Sequence, residues 1–558
     1  MATYKDMAEL IFPDVKLTLK ELEKRYPKRD LPEGAEVTRF APSPTGFLHT
    51  GSLFTAMVAW KIAKQSKGVY FFRLEDTDQK REVEGTGKDL VYQLSKFGIV
   101  ADEGYNGDGE EGIYGPYVQS KRRDIYRVVI KEMMKKGRAY PDFCTKEELD
   151  QLRLVQEANK VVPGYYGEYA KYRNLPIEEA IQYIREGKPY VIRFKSEGDH
   201  TKHFKAHDMI RGDMDLVEND QDIVILKGDG LPTYHFAHLC DDHFMHTTVV
   251  TRGEEWISSL PIHLELFAAM GWEAPKYAHL PVIMVTDKDT GNKRKLSKRK
   301  DPEAAVSYFL KAGYPKDGFI EYLMTIANSN FEAWMMENPK APVSDFALSF
   351  GKFSLDGALF DVPKLENICK EYLSHLDKKE ITLQAEEWAK EYDPKLLGYI
   401  QSDREKFEKI MDIERPIERP RKDYTKFSDI VPHIAFFYKE DYEAMLSKAP
   451  LPFNPNIDAD TIASFLSAFA STLDLGKDED TWFAATKELG TKYGFSADRK
   501  EYKKNPTAFK GWYADAISLI RIAVCCSAQS PKIYDVLVIL GKEEVGRRIS
   551  LSLKKLGR

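Results

Sequence analysis

Residues 39–53 read R-F-A-P-S-P-T-G-F-L-H-T-G-S-L, and this stretch decides the fold because it joins a short strand to a helix through a turn suited to an anion. Glu36–Phe40 has extended character, and Pro42 and Pro44 push Ala41 and Ser43 out of the α region. Gly46 is free to take backbone angles closed to other residues. From Gly51 onward the apolar spacing of Leu53, Met57 and Trp60, followed by Ala63 and Lys64, predicts a helix. A helix start offers free backbone N–H groups and a positive dipole end to a phosphate. Thr45 and His49 add side-chain donors beside it.

Gly68 and a strand over Val69–Leu74 complete a βαβ unit, with a right-handed crossover and parallel strands. Ligands of such sheets bind beyond the carboxyl ends of the strands. Arg39 and the run Glu75-Asp76-Thr77-Asp78 are therefore expected at one rim, where charges of opposite sign suit a zwitterion such as an amino acid. Gly85-Thr86-Gly87-Lys88 imitates a P-loop, but Glu82 stands where its first glycine belongs and Asp89 replaces the Ser/Thr. It is read as a turn before a helix over Asp89–Lys96.

The chain has 558 residues, enough for several domains, and its 43% hydrophobic and 30% charged residues are those of a globular protein. A net charge of −6 means that a nucleic-acid partner would be held by local basic patches. No apolar run approaches membrane-spanning length, and the start MATYKDMAEL lacks a signal layout. Cys144, Cys240, Cys369, Cys525 and Cys526 are scattered and odd in number, which predicts a reducing cytoplasm rather than a disulfide framework. There are no internal repeats.

Residues 1–34 read as a polar, partly helical appendage packed on the next domain. Helical segments over Ser120–Lys136 and Thr145–Ala158 lead into β-like runs at Tyr190–Phe194 and Asp222–Lys227, the pattern of a module inserted into an α/β domain. Cys144 has no second thiol nearby, so a Cys-rich structural zinc site is not expected. Residues 232–246, P-T-Y-H-F-A-H-L-C-D-D-H-F-M-H, tempt a metal reading, since His238, Asp242 and His246 share one face of a helix. Packing is preferred, because metal sites gather ligands from several elements. Residues 293–300, K-R-K-L-S-K-R-K, follow the turn T-D-K-D-T-G-N, read as mobile, and form a basic loop. Such a run by itself is a solvated loop or an RNA contact, and its donors would also suit developing negative charge if it belonged to an active site. Beyond residue 371 the chain is helical, and the proline-broken basic stretch Arg415–Lys422 reads as a domain junction that touches RNA. The tail P-K-I-Y-D-V-L-V-I-L-G-K-E-E-V-G-R-R-I places Lys and Arg near its end, as a helix C-terminus favours.

P-S-P-T-G-F-L-H-T-G resembles the first signature of class I aminoacyl-tRNA synthetases, in the form used by glutamyl and glutaminyl enzymes, with Ser52 at its fourth position. K-L-S-K-R, residues 295–299, resembles the second signature, and the tail is similar to the helical anticodon-binding region of bacterial-type glutamyl-tRNA synthetases. The resemblance spans residues 36–558. It implies a Rossmann-like α/β catalytic domain over 35–128 and 230–270, with an inserted α+β acceptor-end module over 129–229. A stem-contact region carrying the second signature would cover 271–370, and an all-α anticodon-binding region 371–558, with 1–34 an N-terminal extension.

The implied activity is glutamate–tRNA ligation: glutamate and ATP give an adenylate, and the glutamyl group passes to tRNA(Glu), with tRNA(Gln) left open. Activation is expected to require tRNA. His49, Lys295 and Lys298 are the implied catalytic residues. Pro42, Thr45, Gly46, His49, Gly51, Ser52, Glu255, Leu296, Ser297 and Lys298 would bind ATP. Arg39, Ser43, Glu75, Tyr234, His238 and Arg252 would bind glutamate. ATP and Mg²⁺ are the expected cofactors, without structural zinc, in a cytoplasmic monomer. A glutaminyl enzyme remains open through His238, which stands where bacterial glutamyl enzymes commonly have Asn. Arg252 weighs against it, since a neutral amide leaves a buried guanidinium without a counter-charge. A short relative that glutamylates a tRNA base would lack the anticodon region. A non-catalytic RNA-binding paralogue would be expected to lose donors from one signature.

Overall fold

A computed structural model of the chain describes residues 2–78, 80–297, 299–339, 341–355, 357–415 and 417–558. They form two compact units, Met1–Leu310 with Ile320–Asp361, and Lys311–Phe319 with Val362–Arg558.

In the first unit the opening strand is Val37–Phe40, the signature helix is Thr50–Gln65 and the next strand is Val69–Phe72. The two strands are parallel, with Val37 opposite Val69 and Phe40 opposite Phe72. Leu53, Met57 and Ala63 are buried as their spacing predicts, and so are Phe54, Val58 and Ile62 on the flanks, whereas Trp60 is half-buried. Full burial of a Leu or Met side chain contributes about 1.5–3 kcal/mol each, so this helix is fixed from more than one side. Gly68 is required where the chain enters the second strand: a Cβ there would meet the Glu36 carbonyl oxygen at 1.9 Å. Glu103–Tyr105 extends the sheet in parallel and Glu110–Glu111 closes it antiparallel.

A second sheet pairs Val249–Gly253 in parallel with Lys276–Leu280. The first strand reaches it through Thr248 N–H to the Val37 carbonyl, 2.9 Å, and Val37 N–H to Thr248 Oγ1, 2.8 Å. The expected insertion is not self-contained. Its strands Ala139–Asp142, Val191–Phe194 and Val224–Leu226 do form a separate antiparallel sheet. The hairpin of His203–Asp208 with Gly212–Val217, however, joins the strand Lys276–Leu280 where Asp208 stands opposite Tyr277. That strand pairs with Val249–Gly253 and so belongs to the catalytic sheet, although it lies beyond residue 270, the expected end of the catalytic domain. Periodicity marks these segments as strands but carries no information about which sheet each completes.

The N-terminal extension has helices at Tyr4–Ile11 and Leu19–Arg25, each opened by a Thr capping box. Met7, Ala8, Phe12, Leu22 and Tyr26 enter the core around the helix Arg123–Lys135. Lys131 of that helix donates to the carbonyls of Phe12 (3.0 Å) and Val15 (2.8 Å), which ties the extension down. The P-loop look-alike is a helix start: Gly85 has φ 80° before the helix Thr86–Lys96, and Lys88 pairs with Asp108 at 2.6 Å.

The second unit is helical around a core that includes Ile381, Phe407, Phe465, Trp482, Ile520 and Val536. The basic stretch over 415–422 lies within this unit rather than at a junction. Arg415 donates to the carbonyls of Met411 (2.7 Å) and Leu376 (3.0 Å), and Arg421 pairs with Glu414 (3.0 Å) and Asp423 (2.7 Å), so both are structural. Pro416 lies outside the described residues. The tail is two helices, Ile533–Leu540 and Lys542–Lys555, broken at Gly541. Arg548 is therefore mid-helix and fully buried, donating to the carbonyls of Phe436 (2.6 Å) and Val524 (2.7 Å) rather than capping a terminus.

Candidate active site

A cavity of about 1150 Å³ opens beyond the carboxyl ends of the strands Val37–Phe40 and Val249–Gly253. It exceeds the roughly 300–1,000 Å³ usual for one small ligand, so it has room for a nucleotide and a second substrate together. Its wall gathers Arg39, Pro42, Ser43, Thr45, Gly46, His49, Gly51, Ser52, Glu75, Tyr234, Arg252, Glu255, Lys295 and Leu296 from both signatures and the segments between them.

Gly46 has φ 146°, a backbone state that L side chains rarely adopt, while the space beside it is open; conformation rather than crowding selects glycine there. His49 is the N-cap of the signature helix, and its Nδ1 accepts the Gly51 N–H at 2.9 Å. That bond fixes the ring proton of neutral His49 on Nε2, which makes Nε2 a donor. The helix start offers fewer open donors than expected, because Gly51 N–H is taken by His49 and Ser52 N–H bonds the His49 carbonyl at 2.8 Å.

The second signature lies on a hairpin of Ile283–Thr286 with Lys293–Lys295. Within its turn, Asp287 accepts the N–H groups of Asp289 and Thr290 at 3.1 Å, and Gly291 N–H reaches its carbonyl at 2.8 Å. Arg294 staples the loop, binding Asp287 through Nε at 2.7 Å and Asp301 through both Nη atoms at 2.7 Å. Only Lys295 and Leu296 of this signature line the cavity among the described residues. Lys295 Nζ lies 3.9 Å from Glu255. Ser297 is not among the residues lining the cavity, and its backbone N–H bonds Asp301 at 2.8 Å. Lys298 lies outside the described residues.

Beneath the opposite wall is a buried charge cluster. Arg73, with no exposed side-chain surface, reaches Glu75 at 3.0 Å, Asp242 at 2.8 Å and Asp241 at 3.8 Å. Arg39 also pairs with Asp242, at 3.3 Å, and Arg122 with Asp241, at 2.6 Å. The guanidiniums of Arg39, Arg73 and Arg122 thus balance the carboxylates of Glu75, Asp241 and Asp242. Burial raises the Glu75 pKa, with Arg73 and Arg39 opposing it. Asp242 is held well below the usual range because Arg39, Arg73 and His238 outweigh its burial. Arg73 and Arg122 escaped the sequence reading, since nothing local distinguishes them from surface arginines. Asp76 accepts from Ser120 N–H at 2.7 Å and is not on the wall, so Glu75 alone of that pair faces the cavity.

Arg252 differs from this cluster. Its Nε donates to His279 Nε2 (2.9 Å), its Nη1 meets His263 Nδ1 (2.9 Å) and its Nη2 donates to the Trp256 carbonyl (3.3 Å). No carboxylate among the described residues forms an ion pair with it. The Tyr234 ring packs against Trp256, centroids 4.5 Å apart and the planes tilted by 40°. His238 is corrected: it is fully buried one helical turn behind Tyr234, with Nδ1 2.7 Å from Asp242 and Nε2 2.9 Å from the Tyr277 hydroxyl, and it does not line the cavity. The three-residue metal face also fails, because the helix ends at Phe244 and His246, at φ 54°, bonds the Tyr26 carbonyl at 2.9 Å.

The histidines around Arg252 are neutral. Burial lowers His235 and His238 to about 4, the first helped by Arg252 and the second opposed by Asp242; burial also lowers His263 and His279. Folded pKa values below the unfolded value of about 6.5 mean that the unfolded chain binds protons first as pH falls. The stabilising contribution of His235 and His238 is complete above about pH 6.5 and declines toward about pH 4. Glu75, with its pKa raised, acts in the opposite sense. We expect each of His235 and His238 to withdraw about 2 kcal/mol by pH 5. His238→Asn should therefore lose less stability than the parent chain between pH 7.5 and pH 5 in denaturant titrations; equal losses would exclude His238 from the linkage.

Comparison with known proteins gives consistent matches. A model described as tRNA synthetases class I (E and Q), catalytic domain, matches residues 36–334, and one described as anticodon binding domain matches 513–553. The glutamate–tRNA ligase of Clostridium perfringens (strain 13) is 46% identical over 98% of this chain and 100% of its own length. That of Acetivibrio thermocellus is 43% identical over 98% of this chain and 99% of its own. A crystal structure of a glutamate tRNA ligase from Elizabethkingia meningosepticum in complex with its amino acid superposes with a TM-score of 0.72 at 29% identity, covering 94% of this chain and 100% of that one.

Proposed function

The chain belongs to the class I tRNA synthetases of the E and Q type, as a glutamate–tRNA ligase, and from that premise we propose how its cavity performs the reaction. The observation that carries the reading is the charge balance: the buried cluster beneath Glu75 is neutral, whereas Arg252 is surrounded by neutral acceptors. Glutamate, a zwitterion with one further carboxylate, supplies that missing negative charge, and glutamine does not. In this reading Arg252 takes the side-chain carboxylate, Glu75 the α-amino group, Arg39 the α-carboxylate, and Ser43 and Tyr234 complete the pocket.

ATP lies along the signature turn, between Thr45, His49 and Ser52 on one side and Lys295 and Leu296 on the other, with Pro42, Gly46 and Gly51 shaping the turn. Attack of the glutamate α-carboxylate on the α-phosphate forms the adenylate and releases pyrophosphate. His49 Nε2–H and the Lys295 ammonium stabilise charge that grows as pyrophosphate departs. Lys298 is assigned the same role on sequence grounds. Mg²⁺ bound to the nucleotide would neutralise phosphate charge. Among the described residues no group of three carboxylate, imidazole or thiol ligands forms a cage, so phosphates and water would carry the ion.

Residues 129–229 are read as holding the tRNA acceptor end, 271–370 as contacting the stem and 371–558 as reading the anticodon; tRNA(Glu) is the acceptor. The test is ATP–pyrophosphate exchange with glutamate, with and without tRNA, followed by charging of separated tRNA(Glu) and tRNA(Gln). Exchange that depends on tRNA and charging of tRNA(Glu) are expected. Preferential use of glutamine would overturn the substrate assignment, and RNA binding without exchange would leave a binding protein.

A further inference from the structure

We propose that Asp208 and His279 are positioning residues that orient Arg252 and so set the preference for a carboxylate over an amide. The inference rests on the reading of Arg252 above but concerns residues outside the cavity wall. Asp208 belongs to the hairpin within the segment 129–229, and His279 to the catalytic strand Lys276–Leu280. Both are fully buried.

The contacts form a directed chain. Asp208 Oδ1 accepts the N–H groups of Ile210 and Arg211, each at 3.0 Å, so the carboxylate is fixed in its own turn. Asp208 Oδ2 accepts His279 N–H at 3.0 Å and lies 2.7 Å from His279 Nδ1. A carboxylate only accepts, so the ring proton of His279 is on Nδ1 and Nε2 is left with a lone pair. That lone pair receives Arg252 Nε–H at 2.9 Å. The guanidinium is thereby held by a neutral acceptor whose tautomer the hairpin dictates, and it keeps its full charge for a ligand. A carboxylate in place of His279 would have cancelled that charge; a ring protonated on Nε2 would have opposed it donor to donor.

The chain makes separable predictions. His279→Leu removes the acceptor, and Asp208→Asn presents a donor where His279 needs an acceptor, forcing the ring proton toward Arg252. Leaving a buried donor unmatched costs about ten- to a hundredfold in binding. Each variant should raise KM for glutamate by at least about tenfold, leave KM for ATP near its parent value, and lower the glutamate-to-glutamine ratio of kcat/KM in step. A folding defect instead lowers the active fraction for both amino acids and leaves both KM values and the ratio unchanged. His279→Gln, whose amide can offer oxygen to Arg252 and NH₂ to Asp208, should keep most of the parent ratio. If the other variants are insoluble, His279→Gln still decides: a ratio as low as that of Arg252→Ala means that amide polarity does not place Arg252, and overturns the proposal. An unchanged ratio in soluble His279→Leu does the same. Parent protein that fails to charge tRNA with glutamate would refute the underlying reading instead.

Discussion

Arg252→Ala should lose at least about two orders of magnitude in kcat/KM for glutamate, and much less for glutamine. Breaking a buried charge pair by removing one partner costs roughly 3–5 kcal/mol, equivalent to about 10²–10³·⁵ in kcat/KM when the lost partner acts on the substrate. The reason for expecting the loss in substrate use rather than in stability is the environment of this side chain. Its partners are two imidazoles and a carbonyl, all neutral. Among the described residues no carboxylate pairs with this guanidinium, so its truncation strands no buried anion there. Arg252→Lys should rescue poorly, since an ammonium cannot reproduce the paired, planar contact. Near-parental kcat/KM for glutamate in Arg252→Ala would show that the side-chain carboxylate is read elsewhere.

Arg73→Met should have the converse phenotype, a loss of folding stability of about 3–5 kcal/mol. Arg73 is completely buried between Glu75, Asp241 and Asp242, so its removal leaves those carboxylates with Arg39 and Arg122 alone. Adding a methionine of similar length limits the cavity term, so the charge imbalance dominates. A melting temperature lower by roughly 6 °C or more is expected for the catalytic unit, and Arg73→Lys should recover part of it. A melting temperature within about 1 °C of the parent, well inside the expected shift, would show that the cluster relaxes without Arg73. The two arginines share burial and differ in partners: Arg73 pairs with carboxylates, whereas Arg252 meets imidazoles and a carbonyl.

Much of the site could be read along the chain because its chemistry is local. The turn over 39–53 carries its prolines, Gly46 and His49 within one strand–helix connection, and the structure returns that connection with His49 as the cap. Tyr234, Arg252 and Lys295, singled out through the resemblance of their segments to a family, all line one cavity. Corrections came where a side chain's direction mattered. His238 shares a helix and a face with Tyr234 yet is buried behind it, and Asp76 turns from the cavity to bind Ser120 while Glu75 beside it does not. Ser297 does not line the cavity, and its backbone N–H is bonded to Asp301.

The sequence by itself determined the βαβ opening, the two signature segments, the helical second half and hence the reaction class. The opening and the helices rest on spacing over a few residues, where backbone preference and periodicity act directly; the reaction class follows from the resemblance of the two signature segments to those of a known family. Tertiary structure alone decided that the hairpin 203–217 completes a catalytic sheet, that Arg73 and Arg122 neutralise the acidic cluster, and that Arg252 is left with neutral partners. Those outcomes depend on which groups become neighbours once separate elements are buried together, at separations from 11 positions for Arg252 and His263 to 169 for Arg73 and Asp242. Burial makes each such pairing or its absence energetically decisive, and no local pattern records it.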